Sequence, residues 1–434
     1  MVEEGAEEAE PTGPPAETGT PERVPLEKRH PPLPWVIDRF HLDLDALREM
    51  LAEFVPLAID RDKSRVGSKA LSEISSLDPT RQAKLKGILD AWAERSERGE
   101  KAEMLRDQEP IFREIFENDQ HSLIALVRRL QKRASGPDPI AIIHNSLLTQ
   151  AISAFEVLVS GIATRFYVSH PGALGTDNKE FSLADLRTFE DIDDASDSLI
   201  ALRVSSVMFG GLDDWAAWFK KHSGDSLSTL AMDWNEVVEA FQRRHVVIHN
   251  GGLVSRQYLA RVPDAKVNLG DRLQIEGKYL EGVFDQLDVL GTVLGVRTWG
   301  AWYKDERDGS ANVLLQRSYD LMLASRWAAA ASLCHAASAF QCSAASKEAL
   351  RVNYWNSRVE MDGVEPVRSD LEAWDVSALA DRFKLAKLVL LGELKEASDM
   401  ADTLLERNEL ERGELAEWPV LRQLREYRAS NAQS

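Results

Sequence analysis

One stripe of apolar side chains constrains this chain more than any other feature. Ile143, Leu147, Leu148, Ala151, Phe155, Leu158, Val159, Ile162 and Phe166 recur at steps of three and four. That is the period of an α-helix with a continuous apolar face. A helix over about residues 140–167 must lay this face on other helices. The same period returns in Leu47, Met50, Leu51, Phe54 and Val55, and again in Ile111, Ile115, Leu123, Leu126, Val127 and Leu130. The expected fold class is all-α, a helical bundle with an N-terminal helical region and C-terminal helix pairs.

At 434 residues the chain exceeds one ordinary core and fits two or three domains. Residues 1–34 are rich in Glu, Pro, Gly and Thr, with almost no large apolar side chains. They read as a disordered acidic tail, because little burial offsets their chain entropy. Residues 35–137 form a helical accessory region, closed by the breaker Ser135-Gly-Pro-Asp-Pro139. A central domain spans 138–306. Its further helices are expected over 195–208, stopped by Gly210-Gly211, over 213–221, and over 277–294 after a short irregular piece. Beyond 307 the pattern is helix pairs, turning at Ser325-Arg326 and at Gly392. These pairs resemble tetratricopeptide-type repeats without a clean 34-residue period, and they imply a docking surface for a protein partner.

Lys and Arg number 52 against 71 Asp and Glu, a net charge of −19. Such a balance argues against coating nucleic acid non-specifically, which is driven by phosphate neutralisation. It leaves room for a small local basic site, and the candidates are Arg243-Arg244, Lys220-Lys221 and the run Arg128, Arg129, Lys132, Arg133. The two cysteines, Cys334 and Cys342, form no CxxC and read as small hydrophobes of a reducing compartment. No basic segment followed by an apolar core marks a secretory signal. No apolar run approaches the roughly 20 residues of a membrane span. The expected location is the cytoplasm, without membrane contact.

Chemistry concentrates in Phe241-Gln-Arg-Arg-His-Val-Val-Ile-His-Asn-Gly-Gly252. Asp233 caps the helix that carries it, and Glu236 stands where a capping box would place it. Gly251 and Gly252 suit a left-handed close. On such a helix His245 and His249 share one face, while Arg244 lies about 140° round the axis from His249. Convergence of the three needs either a helix that ends early or a second copy of the chain. His245-Val-Val-Ile-His249 has the histidine spacing of the zinc motif HExxH, but Val246 stands where that motif has its Glu base, and no third ligand cluster is visible. No metal and no other cofactor is expected. The bland alternative is a helix end whose Arg and His cap free carbonyls.

Arg244-His245-Val-Val-Ile-His249 resembles the RX4-6H signature of the HEPN superfamily, the higher eukaryote and prokaryote nucleotide-binding domains. Its extension through Asn250-Gly251-Gly252-Leu-Val254 is similar to the prokaryotic branch with RHxxxHNGGxV. Phe155-Glu156, the stretch 199–211, Asp213-Asp-Trp215 with Trp218, and Asp233-Trp234 add context. The resemblance covers about 138–304. It implies a dimeric helical bundle in which two motif copies build one RNA-cleaving cleft. It further implies that Arg244 holds the scissile phosphate and that His249 is the acid or base. His245, Asn250, Glu156 and Arg243 support them. The implied activity is that of a metal-independent endoribonuclease, a toxin or anti-phage effector restrained by an antitoxin or other partner on the helix pairs. The alternatives are a non-catalytic RNA- or nucleotide-binding HEPN module and a protein-binding adaptor that uses this region only to dimerise.

Overall fold

In the computed structural model the described residues are 25–60, 78–96, 114–115, 139–176, 182, 184 and 187–431. The basic run 128–133, the breaker 135–138 and most of the expected helix around 111–130 lie outside them. The architecture is all-α, with one isolated antiparallel bridge, Leu253 to Arg272, among the described residues.

The main helices are α1 (Leu33–Glu49), α2 (Pro79–Ser96), α3 (Pro139–Ser169), α4 (Ile192–Phe209), α5 (Leu212–His222), α6 (Trp234–His249) and α7 (Gly277–Trp302). The C-terminal part adds α8 (Arg307–Leu323), α9 (Trp327–Ala337), α10 (Ala344–Asp362), α11 (Asp381–Leu391), α12 (Leu394–Glu406) and α13 (Arg422–Asn431). Helix α7 runs a further two turns past the expected end at 294. Val296 and Trp299 are buried there, so packing carries the helix through Gly295.

Helix α3 is the expected long one. Its stripe is buried against α1, α4, α6 and α7. It is also the one described helix long and apolar enough to cross a membrane, although 56% of its apolar window is buried inside the protein. This departs from the expectation that no run is long enough, because Asn145, Ser146, Thr149 and Gln150 break the apolar run while the window as a whole stays apolar on average.

Residues 25–34 correct the expected tail. Leu26–Arg29 is a helical turn, Arg29 pairs with Asp194 at 2.7 Å and Asp197 at 2.9 Å, and His30 Nε2 lies 2.7 Å from Asp197. Pro32 precedes α1, Pro34 occupies its first turn, and Leu33 is buried. A few anchoring side chains order this stretch, which average composition does not reveal.

Helix α1 packs unusually deeply. A Cβ built on Gly291 would stand 2.7 Å from Phe40 Cζ and 2.9 Å from Leu158 Cδ2; one on Gly295 would stand 2.7 Å from Ile37 Cγ1. Two glycines one turn apart on α7 thus admit the side chains of α1. The resulting core is continuous. It includes Leu33 to Val55, most of the α3 stripe, Val237 and Ala240 of α6, α7, and also Ala311 to Leu350. The apolar packing therefore crosses both 137/138 and 306/307, the expected domain borders. A second core begins at Val352 and runs to Leu424. Its helices α11 and α12 turn at Gly392, as α8 and α9 turn at Ser325.

A buried ionic network fastens α1, α7 and α8. Asp288 of α7 is fully buried and accepts from Arg48 of α1 at 2.8 Å and from Arg317 of α8 at 2.9 and 2.6 Å. Arg317 also holds Asp45 at 2.7 and 2.8 Å, and Arg48 holds Asp285 at 3.0 Å. Burial alone would push the Asp288 carboxyl up. The guanidiniums of Arg317 and Arg48 outweigh burial and hold it well below the usual carboxylate range.

Candidate functional site

Helix α6 starts at Asp233, whose side chain accepts from the N–H groups of Asn235 (2.8 Å) and Glu236 (3.3 Å). The expected capping box is not closed by Glu236. Gln286 of α7 intervenes: its Oε1 accepts from Asp233 N–H at 3.0 Å and its Nε2 donates to Glu236 at 2.6 Å. The start of the motif helix is therefore locked to α7 as well as capped.

The other end closes as its glycines suggest. The helix continues through His249, Asn250 caps it, and Gly251 and Gly252 take φ of +59° and +83°. The Val246 carbonyl accepts from both Asn250 N–H (2.9 Å) and Gly252 N–H (3.1 Å). His249 therefore keeps its helical direction.

The faces of α6 separate the candidate residues. His245 and His249 lie side by side, ring centroids 4.7 Å apart, with His249 and Asn250 exposed and His245 partly covered. Arg244 faces α3, where its NH2 group stands 3.5 Å from Glu156 Oε1, both side chains about 70% buried. That distance is loose for a charge-assisted bond, and Arg244 Nε is buried without a hydrogen-bond partner. Glu156, one of the expected supporting residues, meets Arg244.

Arg243 occupies a third face. Its Nε donates to Glu239 at 2.7 Å, one of its terminal nitrogens donates to the Gln274 carbonyl at 2.6 Å, and its guanidinium lies 4.2 Å from the Tyr279 ring centre. Glu239 also accepts from Tyr258 and Tyr279, each at 2.6 Å. Burial first, and the Glu239 carboxylate second, push both phenols well above their usual value, so they remain donors. The small cluster Val246, Val254, Tyr258 and Leu273 packs the following segment onto α6. Arg243 and Glu239 thus hold the segment 250–276 against the motif helix. Periodicity gave no signal for this pairing. Glu239 at four residues before Arg243 was the one legible hint.

Chemically, one copy of the chain places an exposed imidazole and a partly covered one at a helix end, with a mostly covered guanidinium on another face. Arg244 and His249 are roughly 7.5 Å apart along the axis. Among the described residues no third His, Cys, Asp or Glu joins the histidine pair to form a metal-ligand cluster. Of the other basic candidates, Lys220 and Lys221 are exposed at the end of α5. Cys334 is buried and Cys342 is partly exposed, both free.

No protein-family model, no curated protein and no solved structure matches this chain.

Proposed function

We propose that the chain is a metal-independent endoribonuclease of the HEPN type, acting as a homodimer, with Arg244 and His249 at its centre. The observation that carries this reading is the His245–His249 pair at the glycine-closed end of α6, His249 exposed and His245 partly so, with an arginine that has an unsatisfied donor on another face of the same helix. Imidazoles move protons near neutral pH, and a guanidinium matches phosphate geometry. In the proposed reaction a histidine takes the proton of the ribose 2′-OH, and the 2′-oxygen bonds to phosphorus. The bond to the 5′-oxygen breaks, and the leaving oxygen receives a proton from a second histidine. Arg244 neutralises the charge that builds on the phosphoryl oxygens. The products are a 2′,3′-cyclic phosphate and a 5′-hydroxyl.

The angle between the two groups supports the dimer. His249 stays on the helix about 140° from Arg244, so a second copy supplies the missing partner group. A phosphate must also displace Glu156 from Arg244, and the loose 3.5 Å contact makes this exchange inexpensive. The helix pairs beyond α8 serve in this reading as the docking surface of a restraining partner, and the setting is a cytoplasmic toxin or anti-phage effector.

The test is RNA cleavage in EDTA by the full chain beside His249→Ala and Arg244→Ala. Each substitution is expected to reduce the rate by about 100-fold or more. Undiminished cleavage in both variants removes the site. Binding of RNA by all three proteins with no cyclic phosphate from any of them replaces the reading with a non-catalytic module.

A further inference from the structure

Helices α9 and α10 enclose a cavity of about 230 Å³ near their connecting turn. Lys347, Arg351, Tyr354 and Trp355 line it from α10, at steps that put them on one helical face. His335 and Ser338 line it from the end of α9. Its charge sets it apart. The groove bounded by Tyr319, Arg382 and Trp418 is rimmed by Glu411, Glu414 and Glu417. The cavity beside α6 balances Arg243, Lys266 and Lys278 against Glu236, Glu239 and Asp264. The α9–α10 cavity carries basic groups and no carboxylate among its described lining residues, in a chain of net charge −19.

Arg351 is paired with Glu348 at 3.1 Å, but Glu348 stands outside the cavity. Lys347 and His335 are exposed and form no ion pair among the described residues. The aromatic side is built as firmly. Tyr354 and Trp355 are half-buried with ring centroids 4.9 Å apart, and the His335 ring lies 6.0 Å from Tyr354 at 36°. Cations that attract a phosphate beside rings that accept a flat base are the two halves of nucleotide recognition without sequence readout. The volume falls below the roughly 300–1,000 Å³ of larger ligand sites, which suits one nucleotide rather than several.

We propose that the α9–α10 cavity binds a nucleoside monophosphate unit, either free or as one link of a single strand. Lys347 and Arg351 hold the phosphate, and Tyr354 with Trp355 receives the base. The proposal stands apart from the α6 site and holds whether or not His249 cleaves RNA.

Titration calorimetry on the full chain tests it with AMP, inorganic phosphate and a short oligouridylate as probes. Lys347→Ala with Arg351→Ala is the diagnostic variant, both residues being exposed, and Lys304→Ala with Lys395→Ala, two exposed lysines outside the cavity, is the control. AMP is expected to bind the wild type and the control alike, and to bind the diagnostic variant at least about tenfold more weakly, since two charge-assisted contacts to the phosphate are removed. Inorganic phosphate is expected to compete poorly, because it lacks the base. An oligouridylate that binds no tighter than AMP makes the ligand a free nucleotide; tenfold tighter binding makes it a strand. Failure of both AMP and the oligomer to bind, equal binding to the diagnostic variant, or phosphate competing as well as AMP overturns the proposal.

Discussion

Replacing Asp288 by Asn removes one negative charge from the most enclosed ionic group of the fold with almost no change in shape. Asp288 accepts three bonds from two guanidiniums, and neither partner can follow it into solvent, since Arg317 is 4% and Arg48 13% exposed. An amide in that position turns N–H groups toward at least one of these donors and leaves a net positive charge inside. Breaking one partner of a buried pair costs about 3–5 kcal/mol. The lower end applies here, because Arg317 keeps Asp45 in a two-pronged contact and Arg48 keeps Asp285. A loss of about 3 kcal/mol lowers the melting temperature by roughly 3–4 °C, since an unfolding entropy of about 2.1 cal/mol/K per residue over 434 residues gives about 1 °C per kcal/mol. Thermal unfolding followed by circular dichroism, beside urea titration, reads it directly. Arg317→Met combined with Asp288→Leu removes both charges, and recovers part of the loss if charge imbalance rather than lost packing is the cause. An Asn variant within 1 kcal/mol of the wild type refutes the claim that this network holds α1, α7 and α8 together.

Three other expectations follow from packing and charge. Gly291→Ala drives a methyl group into Phe40 and Leu158, and overpacking of this kind is expected to cost about 1–3 kcal/mol in urea unfolding, whereas Gly413→Ala, in a helical turn with open space around it, is expected to be neutral or stabilising by up to about 1 kcal/mol. His41 is held by burial, with Arg317 adding, at about 4. The unfolded chain therefore binds a proton between about pH 6.5 and 4 that the folded chain does not, so stability falls as pH drops through this window, by up to roughly 3 kcal/mol. His41→Gln flattens that part of the melting-temperature profile, and an unchanged profile refutes the assignment. Glu239→Gln weakens the contacts of residue 239 to Tyr258, Tyr279 and Arg243 at once, and so the hold of α6 on the segment 250–276; faster amide exchange at Val254 and Leu273 with α11 unaffected is the expected signature.

Local pattern decided much of this protein. The steps of three and four in Ile143 to Phe166 are enough to make α3, since a side chain's position round a helix depends on its number in the chain. Asp233 and Gly251-Gly252 likewise mark the ends of α6 through groups that act within a few residues. The pairing of His245 with His249 was legible for the same reason, and so was the angular gap between His249 and Arg244. Tertiary structure alone decided which groups meet across the chain. Arg317 and Asp45 are 272 positions apart, Gln286 reaches Glu236 across 50, and Glu156 meets Arg244 from another helix. No periodicity encodes such distances, although Asp288 amid Leu287, Val289 and Leu290 and Arg317 amid Leu314 and Leu321 were charges in apolar faces that called for partners. The same holds for Gly291 and Gly295, which read as weak helix residues until Phe40 and Ile37 occupy the space they leave. Helices are written in local spacing, but their partners are chosen by shape and charge brought together only when the chain has folded.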